Sequence, residues 1–106
     1  MKILAVCAGG NIRSRALAYR LMYHHGQDAL SASADKQAQD TWRMLCDWAD
    51  RIVLMQPHFA GRIQDGYKAK VRICDVGEDL YGSPWHFQLQ EKVAAFCVPW
   101  AASGFA

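Results

Sequence analysis

The most informative segment of this chain is Ile3-Leu4-Ala5-Val6-Cys7-Ala8-Gly9-Gly10-Asn11-Ile12-Arg13-Ser14. It opens with a continuous apolar run, which is typical of a strand buried on both faces of a parallel sheet. A short loop with two glycines follows, and a helical pattern begins at Ser14. A strand, a tight loop and a helix in this order predict the first unit of an α/β domain.

The loop carries residues suited to binding a phosphate group. Cys7 and Arg13 are separated by five residues, and Ser14 follows the arginine. Backbone N–H groups of a loop at a helix N-terminus can surround an anion, and Arg13 can hold two phosphate oxygens in a fork. That positive field would favour the thiolate of Cys7, a nucleophile to which Ser14 can donate a hydrogen bond. The pattern predicts a cysteine-dependent phosphate site.

Length and composition indicate one globular domain over residues 1–106. The chain has 106 residues, 52% of them hydrophobic and 21% charged, and a chain of this length buries roughly 65% of its unfolded surface. A net charge of +2 and the lack of a basic face argue against nucleic acid as a partner. No apolar stretch reaches the ~18 residues of a membrane span. We expect a monomer or a weak dimer.

The cysteine pattern favours neither a disulfide framework nor a metal site. The four cysteines are Cys7, Cys46, Cys74 and Cys97, and none forms a C-x-x-C pair. The histidines make no zinc-binding spacing with them. We therefore expect a reducing, cytoplasmic location and predict no metal and no cofactor.

The remaining elements alternate between strands and helices. The sequence predicts strands over 2–6, 29–33, 51–55 and 70–74, and helices over 14–25, 35–48, 57–66 and 85–98. Asp35 is a plausible N-cap of the second helix. This alternation predicts a parallel sheet with helices on both faces. Because ligands bind beyond the carboxyl ends of such strands, the Cys7 loop and the acidic loop over 75–84 are expected to converge on one site.

Three segments of the chain resemble the low-molecular-weight protein tyrosine phosphatases, most closely a short bacterial branch of predicted tyrosine phosphatases. They are residues 6–14, 47–55 and 78–82, and they occur in the order expected of that family. The resemblance implies a three-layer α/β/α fold of the phosphotyrosine protein phosphatase I-like kind, with a four-stranded parallel sheet. It also implies a phosphocysteine intermediate at Cys7. The residues implied to bind the phosphate are Ala8, Gly9, Gly10, Asn11, Ile12, Arg13 and Ser14.

The resemblance further implies an aspartate on the late loop that protonates the leaving oxygen and then activates water. Asp79 is favoured because Asp79-Leu80-Tyr81 matches the family's aspartate motif best. Asp75 lies nearer the strand end and competes with it, and Glu78 is the third choice. Tyr81 and Trp85 are expected to line the mouth of the site and to stack on an aromatic substrate.

The chain departs from the family pattern at four positions. Gly10 stands where the family has its loop asparagine, and the asparagine is shifted to Asn11. Arg15 and Leu80 replace two family prolines. These changes bear on the hydrogen bonds of the loop and on the substrate class, while Cys7 and Arg13 remain in place.

The function predicted from the sequence is a phosphatase that hydrolyses phosphomonoesters, with phosphotyrosine in proteins favoured and small phosphomonoesters open. A phosphate-binding module without catalysis is the first alternative; the shifted Asn11 favours it, whereas intact Cys7 and Arg13 argue against it. Arsenate reductase is the second alternative. That chemistry needs two further redox cysteines close together, whereas Cys74 and Cys97 are 23 residues apart.

Overall fold

A four-stranded parallel sheet forms the centre of the molecule, described by a computed structural model that covers residues 1–106. The spatial order of the strands is β2-β1-β3-β4, and every neighbouring pair is parallel. The strands are β1 (Lys2–Cys7), β2 (Asp28–Ser33), β3 (Arg51–Leu54) and β4 (Val71–Ile73). The predicted four-stranded parallel sheet is therefore confirmed.

Three α-helices cover the two faces of the sheet: α1 (Arg13–His25), α2 (Gln39–Trp48) and α3 (Phe87–Ala102). The chain crosses from β1 to β2 in one direction and from β2 to β3 in the other. Right-handed crossovers therefore place α1 and α2 on opposite faces, and α3 packs beside α1. None of these helices is both long and apolar enough to cross a membrane.

The core lies on both faces of β1, the strand that carries the Cys7 loop. Residues 3–6 are completely buried, as their continuous apolar pattern predicts. The apolar faces of α1 and α3 cover one side of the sheet, and Trp42 of α2 is buried on the other. This packing fixes the carboxyl end of β1 in the middle of one sheet edge.

The strand register places four loops at that edge. Cys7 is paired with Ser33, Val6 with Leu54, and Leu54 in turn with Ile73. The strand order reverses at β1, because its sequence neighbour β2 lies on one side and β3 on the other. Such a switch point opens a crevice between the loops, where ligands bind in open α/β sheets.

The second helix begins later than the sequence predicts. It starts at Gln39 rather than at residue 35, and its N-cap is Ala38 rather than Asp35. The backbone N–H groups of Ala34 and Asp35 donate instead to the carbonyls of Cys7 and Ala8. These hydrogen bonds hold the segment after β2 in a turn over residues 34–36, so the helix cannot begin there.

The later boundaries also differ from the prediction. The single helix expected over 57–66 is replaced by two short 3-10 helices, Pro57–Arg62 and Asp65–Lys70, and α3 continues past residue 98 to Ala102. Pro99 lies inside α3, a position that normally interrupts a helix. Trp100 is 8% exposed and packs edge-on against Phe105 at 5.0 Å. The N–H of Phe105 also donates to the Trp100 carbonyl at 2.9 Å, so the segment after the helix folds back on the extra turn and stabilises it.

Candidate active site

Cys7 is the last residue of β1 and lies at the centre of the sheet edge. The residue is buried, with 3% of its surface exposed. The backbone N–H of Gly10 donates to Cys7 Sγ at 3.2 Å, and Ser14 Oγ lies 3.0 Å from the same sulfur. Two hydrogen-bonding groups therefore face the sulfur, as the sequence predicts for Ser14, and both can donate to a thiolate.

The N-terminus of α1 faces the same loop. Its N-cap, Ile12, makes no side-chain capping hydrogen bond, and the first turn contains no acidic residue. The free N–H groups and the positive end of the helix dipole are thus not neutralised by a side chain. This is the arrangement that helix N-termini use to bind anions.

Gly10 explains one departure from the family pattern. Its φ is +73°, and a Cβ at this position would lie 3.0 Å from the carbonyl carbon of Ala32 and from the nitrogen of Ser33. The loop passes so close to β2 that only glycine fits without a backbone shift. A Cβ on asparagine at position 10 would clash with β2.

Two serines of β2 hold the loop from outside. Ser31 Oγ donates to the Gly10 carbonyl at 3.2 Å, and Ser33 Oγ donates to the Ala8 carbonyl. These hydrogen bonds direct the loop carbonyls towards β2, so the N–H side of the loop can face Cys7. The sequence analysis did not identify these serines, although their period of two on a strand that ends at the same edge is a usable signal.

Arg13 is buried, with 2% of its surface exposed. Its Nη1 donates to Gln56 Oε1 and, at 2.9 Å, to the carbonyl oxygen of Gly77. Its Nε is buried and has no hydrogen-bond partner in the protein, and Nη2 makes none either. Nε and Nη2 form one edge of the guanidinium, which is the edge that binds two oxygens of an oxyanion side by side.

No carboxylate neutralises Arg13. The one ion pair of the structure is Lys68–Asp65, on the surface. A buried cation without an anionic partner is costly, and here the charge has only the neutral amide of Gln56, the Gly77 carbonyl and the Phe59 ring at 5.6 Å around it. The unpaired charge and the free edge of Arg13 are therefore suited to binding an oxyanion.

Gln56 and Gly77 were not identified from the sequence. Both follow strands that end at the edge where Cys7 lies, since Gln56 comes after β3 and Gly77 after β4. The Gly77–Arg13 hydrogen bond confirms that the Cys7 loop and the acidic loop converge. The sequence predicted this convergence but could not indicate which backbone atom makes the contact.

The candidate proton donors lie on either side of Gly77. Asp75 Oδ1 accepts a hydrogen bond from the N–H of Gly77 at 3.0 Å, so this carboxylate shapes the turn that presents the Gly77 carbonyl to Arg13. Glu78 and Asp79 are exposed in the next turn, which is closed by a hydrogen bond from Leu80 N to the Glu78 carbonyl at 2.9 Å. The Asp79 carboxylate is exposed and makes no hydrogen bond within the protein.

The two aromatic residues expected at the mouth have different surroundings. The Tyr81 hydroxyl donates to the Val76 carbonyl within its own loop and accepts from Lys92 Nζ. Trp85 is 53% exposed and packs edge-on against Tyr19 of α1, with ring centroids 4.7 Å apart. Their contact with a substrate remains a prediction. Arg15 and Asn11 are both exposed.

The other three cysteines are buried thiols. Burial raises the pKa of Cys46 and of Cys97 to about 11, and that of Cys74 to about 12. They therefore remain protonated at neutral pH, which is unfavourable for a disulfide relay. No group of three or more potential metal-ligating side chains occurs in the structure.

Solved structures of phosphatases share this fold. Wzb of Vibrio vulnificus, in complex with benzylphosphonate, superposes with a TM-score of 0.65 at 18% identity, over 90% of this chain and 95% of its own. The YwlE arginine phosphatase of Bacillus subtilis gives a TM-score of 0.66 at 18% identity, over 95% and 96% of the two chains.

A low-molecular-weight protein tyrosine phosphatase of Bacillus subtilis gives a TM-score of 0.60 at 16% identity, over 96% of this chain and 98% of its own. No protein-family model matches the chain, and no curated protein matches it by sequence. The chain therefore has the low-molecular-weight protein tyrosine phosphatase fold, which the sequence resemblance predicted.

Proposed function

We propose that the protein is a cysteine-dependent phosphatase that hydrolyses phosphomonoesters through a phosphocysteine intermediate at Cys7. The observation that carries this proposal is the buried guanidinium of Arg13, whose Nε has no partner and whose charge meets no carboxylate. Beside it lies a sulfur that faces Gly10 N and Ser14 Oγ. An anion-binding edge next to a hydrogen-bonded thiol has the composition of a phosphoryl-transfer site.

The reaction takes place in two steps. The Cys7 thiolate attacks phosphorus, the sulfur–phosphorus bond forms, and the bond from phosphorus to the ester oxygen breaks. Water then attacks the phosphocysteine, the sulfur–phosphorus bond breaks, and inorganic phosphate and the thiolate are released. Arg13 and the loop N–H groups bind the equatorial oxygens and stabilise their charge in both transition states.

Asp79 is the proposed general acid and base. It gives its proton to the leaving oxygen in the first step and takes a proton from water in the second. Its carboxylate is exposed and unbonded, whereas that of Asp75 accepts from Gly77 N. Asp75 thus has a structural task in the turn, which leaves Asp79 as the better proton donor.

The proposed substrate is phosphotyrosine in a protein, with small phosphomonoesters as the second class. Cys7 is 3% exposed, so the phosphate must pass below the rim of the loops to reach the sulfur. A flat aryl ester extends further into such a site than a short alkyl ester. The exposed ring of Trp85 follows the acidic loop and is available to contact it.

The two alternatives have weaker support. A module that only binds phosphate would need Arg13 and the loop. It would not need Gly10 N and Ser14 Oγ to face Cys7 Sγ. Arsenate reduction requires reactive partner thiols, whereas burial raises the pKa of both Cys74 and Cys97.

The test is hydrolysis of p-nitrophenyl phosphate in the presence of a metal chelator. We expect turnover by the wild type, no detectable turnover by Cys7→Ser, and a loss of about 10²-fold or more in the kcat of Asp79→Asn, because its second step lacks the base that activates water. Asp40→Asn, an exposed position at the start of α2, is the matched control and should retain wild-type rates. A larger loss in Asp75→Asn than in Asp79→Asn would assign the acid to Asp75. Full activity of Cys7→Ser would contradict the proposal.

A further inference from the structure

The acidic loop, which carries the proposed proton donor Asp79, is anchored to the protein on both sides of its exposed tip. On the β4 side, Val76 is 1% exposed and its N–H donates to the Met55 carbonyl at 3.2 Å. Next to it, the Gly77 carbonyl accepts from Arg13. The tip itself, residues 78–80, is exposed, and Leu80 has 82% of its surface in solvent. The chain must therefore regain contact with the rest of the protein after residue 80.

Tyr81 and Lys92 make that contact. The Tyr81 hydroxyl donates to the Val76 carbonyl and accepts from Lys92 Nζ at 2.9 Å. Lys92 Nζ also lies 3.5 Å from the Val76 carbonyl and 5.4 Å from the centroid of the Tyr81 ring. We call these contacts among Val76, Tyr81 and Lys92 the clasp. It closes residues 76–81 into a ring that contains Asp79.

The clasp connects the acidic loop to a rigid element. Lys92 lies one turn into α3, and α3 is packed on α1 through buried residues of its inner face. A cavity of about 270 Å³ remains between the tip and α3, with Gln88 on its wall. Lys92 is the one side chain of α3 that hydrogen-bonds to residues 76–81, so the clasp is what ties the loop to this helix.

We propose that Tyr81 and Lys92 are positioning residues that hold the Asp79 tip at the distance from Cys7 required for proton donation. This inference rests on the proposed phosphatase function. It also gives Tyr81 a different task from the expected stacking on substrate, because its hydroxyl is committed to Val76 and Lys92. Without the clasp, the phosphoryl site around Cys7 and Arg13 stays intact while the acid is misplaced.

The test uses two esters that differ in their need for a proton. Phenolate is a strong base and leaves well only when it is protonated, whereas p-nitrophenolate is a stable anion. We expect Tyr81→Phe and Lys92→Met each to lower kcat/KM for phenyl phosphate by about tenfold, and for p-nitrophenyl phosphate by less than about threefold. The double variant should lose no more kcat/KM for phenyl phosphate than either single variant, because both substitutions disrupt the same contacts.

Three controls separate positioning from folding. Lys92→Arg keeps a cationic donor and should restore most of the phenyl phosphate activity. Gln88→Ala lies on the same cavity but outside the clasp and should behave as the wild type does with both esters. Thermal unfolding of each variant verifies that it is folded.

Equal losses with both esters, or an unchanged Tyr81→Phe, would overturn the clasp proposal while Cys7-dependent turnover still stood. Turnover of both esters that persists in Cys7→Ser would instead overturn the proposed function, and the clasp proposal with it.

Discussion

Arg13 carries a charge that no carboxylate of the protein neutralises. Its Nη1 is fixed by the neutral amide of Gln56 and by the Gly77 carbonyl, which aims Nε and Nη2 away from these partners. A neutral anchor fixes the orientation of the guanidinium and leaves its full charge for a bound dianion. We therefore expect the residue at position 56 to influence anion affinity.

Replacing Gln56 with glutamate tests this role at the scale of one residue. The Gln56→Glu side chain keeps an acceptor for Nη1 but places a negative charge beside the anion site. We expect the inhibition constant of inorganic phosphate to rise on the order of tenfold. Gln64→Glu adds the same charge at an exposed position and should leave the constant unchanged. Equal phosphate inhibition in Gln56→Glu and the wild type would contradict this account of Arg13.

At this scale the sequence predicts the local motif and misses its distant partners. Cys7, Arg13 and Ser14 are recognisable because they are close together in one short segment after a buried strand. Gln56 and Gly77 belong to other strands and have no motif of their own. Their contacts with Arg13 depend on the spatial order of the strands within the sheet, which the sequence pattern alone does not supply.

At the scale of elements, the Cys7 loop depends on its close approach to β2. Gly10 has a positive φ and leaves no room for a Cβ beside Ala32 and Ser33, while Ser31 and Ser33 hold the loop carbonyls. The same interaction also delays the start of α2, because Ala34 and Asp35 donate to the loop. The sequence predicted the order of strands and helices along the chain but not the start of α2. The residues around positions 34 and 35 do not indicate which carbonyls their N–H groups bond to.

Gly10→Ala tests the contact between the loop and β2. We expect the free energy of unfolding to fall by about 1–3 kcal/mol, because alanine is strained at positive φ and its Cβ meets β2 backbone atoms. Urea denaturation gives the value. Gly9→Ala is the matched control, since a Cβ there meets nothing within 4 Å and its φ is not positive. If both variants lost the same stability, the close approach would have no energetic role.

At the scale of the whole molecule, three thiols are part of the core rather than of the site. Cys46, Cys74 and Cys97 are buried, and burial raises the pKa of each above the ordinary value of 9.0. In the unfolded chain these thiols ionise near that ordinary value. Between pH 9 and pH 11 the folded protein thus holds more protons than the unfolded chain.

The stability of the protein should therefore fall as pH rises through this interval. The contribution of the three thiols is complete below pH 9 and is lost progressively towards about pH 11 to 12, the folded pKa values. Urea denaturation in reductant at pH 8 and at pH 10.5 measures it. A Cys97→Ala variant should show a smaller drop than the wild type. Stability that rises with pH, or a drop that is unchanged in Cys97→Ala, would contradict this assignment.

The most direct test of the central claim is to trap the phosphorylated enzyme. Asp79→Asn retains Cys7 and Arg13 but lacks the proposed base for the second step, so the intermediate should accumulate with p-nitrophenyl phosphate. After rapid quenching in denaturant at alkaline pH, where an S-phosphate survives, peptide mass spectrometry should find one phosphate on the peptide that contains Cys7 and none on those that contain the other cysteines. Turnover by the wild type without any phosphate on Cys7 in the trapped variant would contradict it.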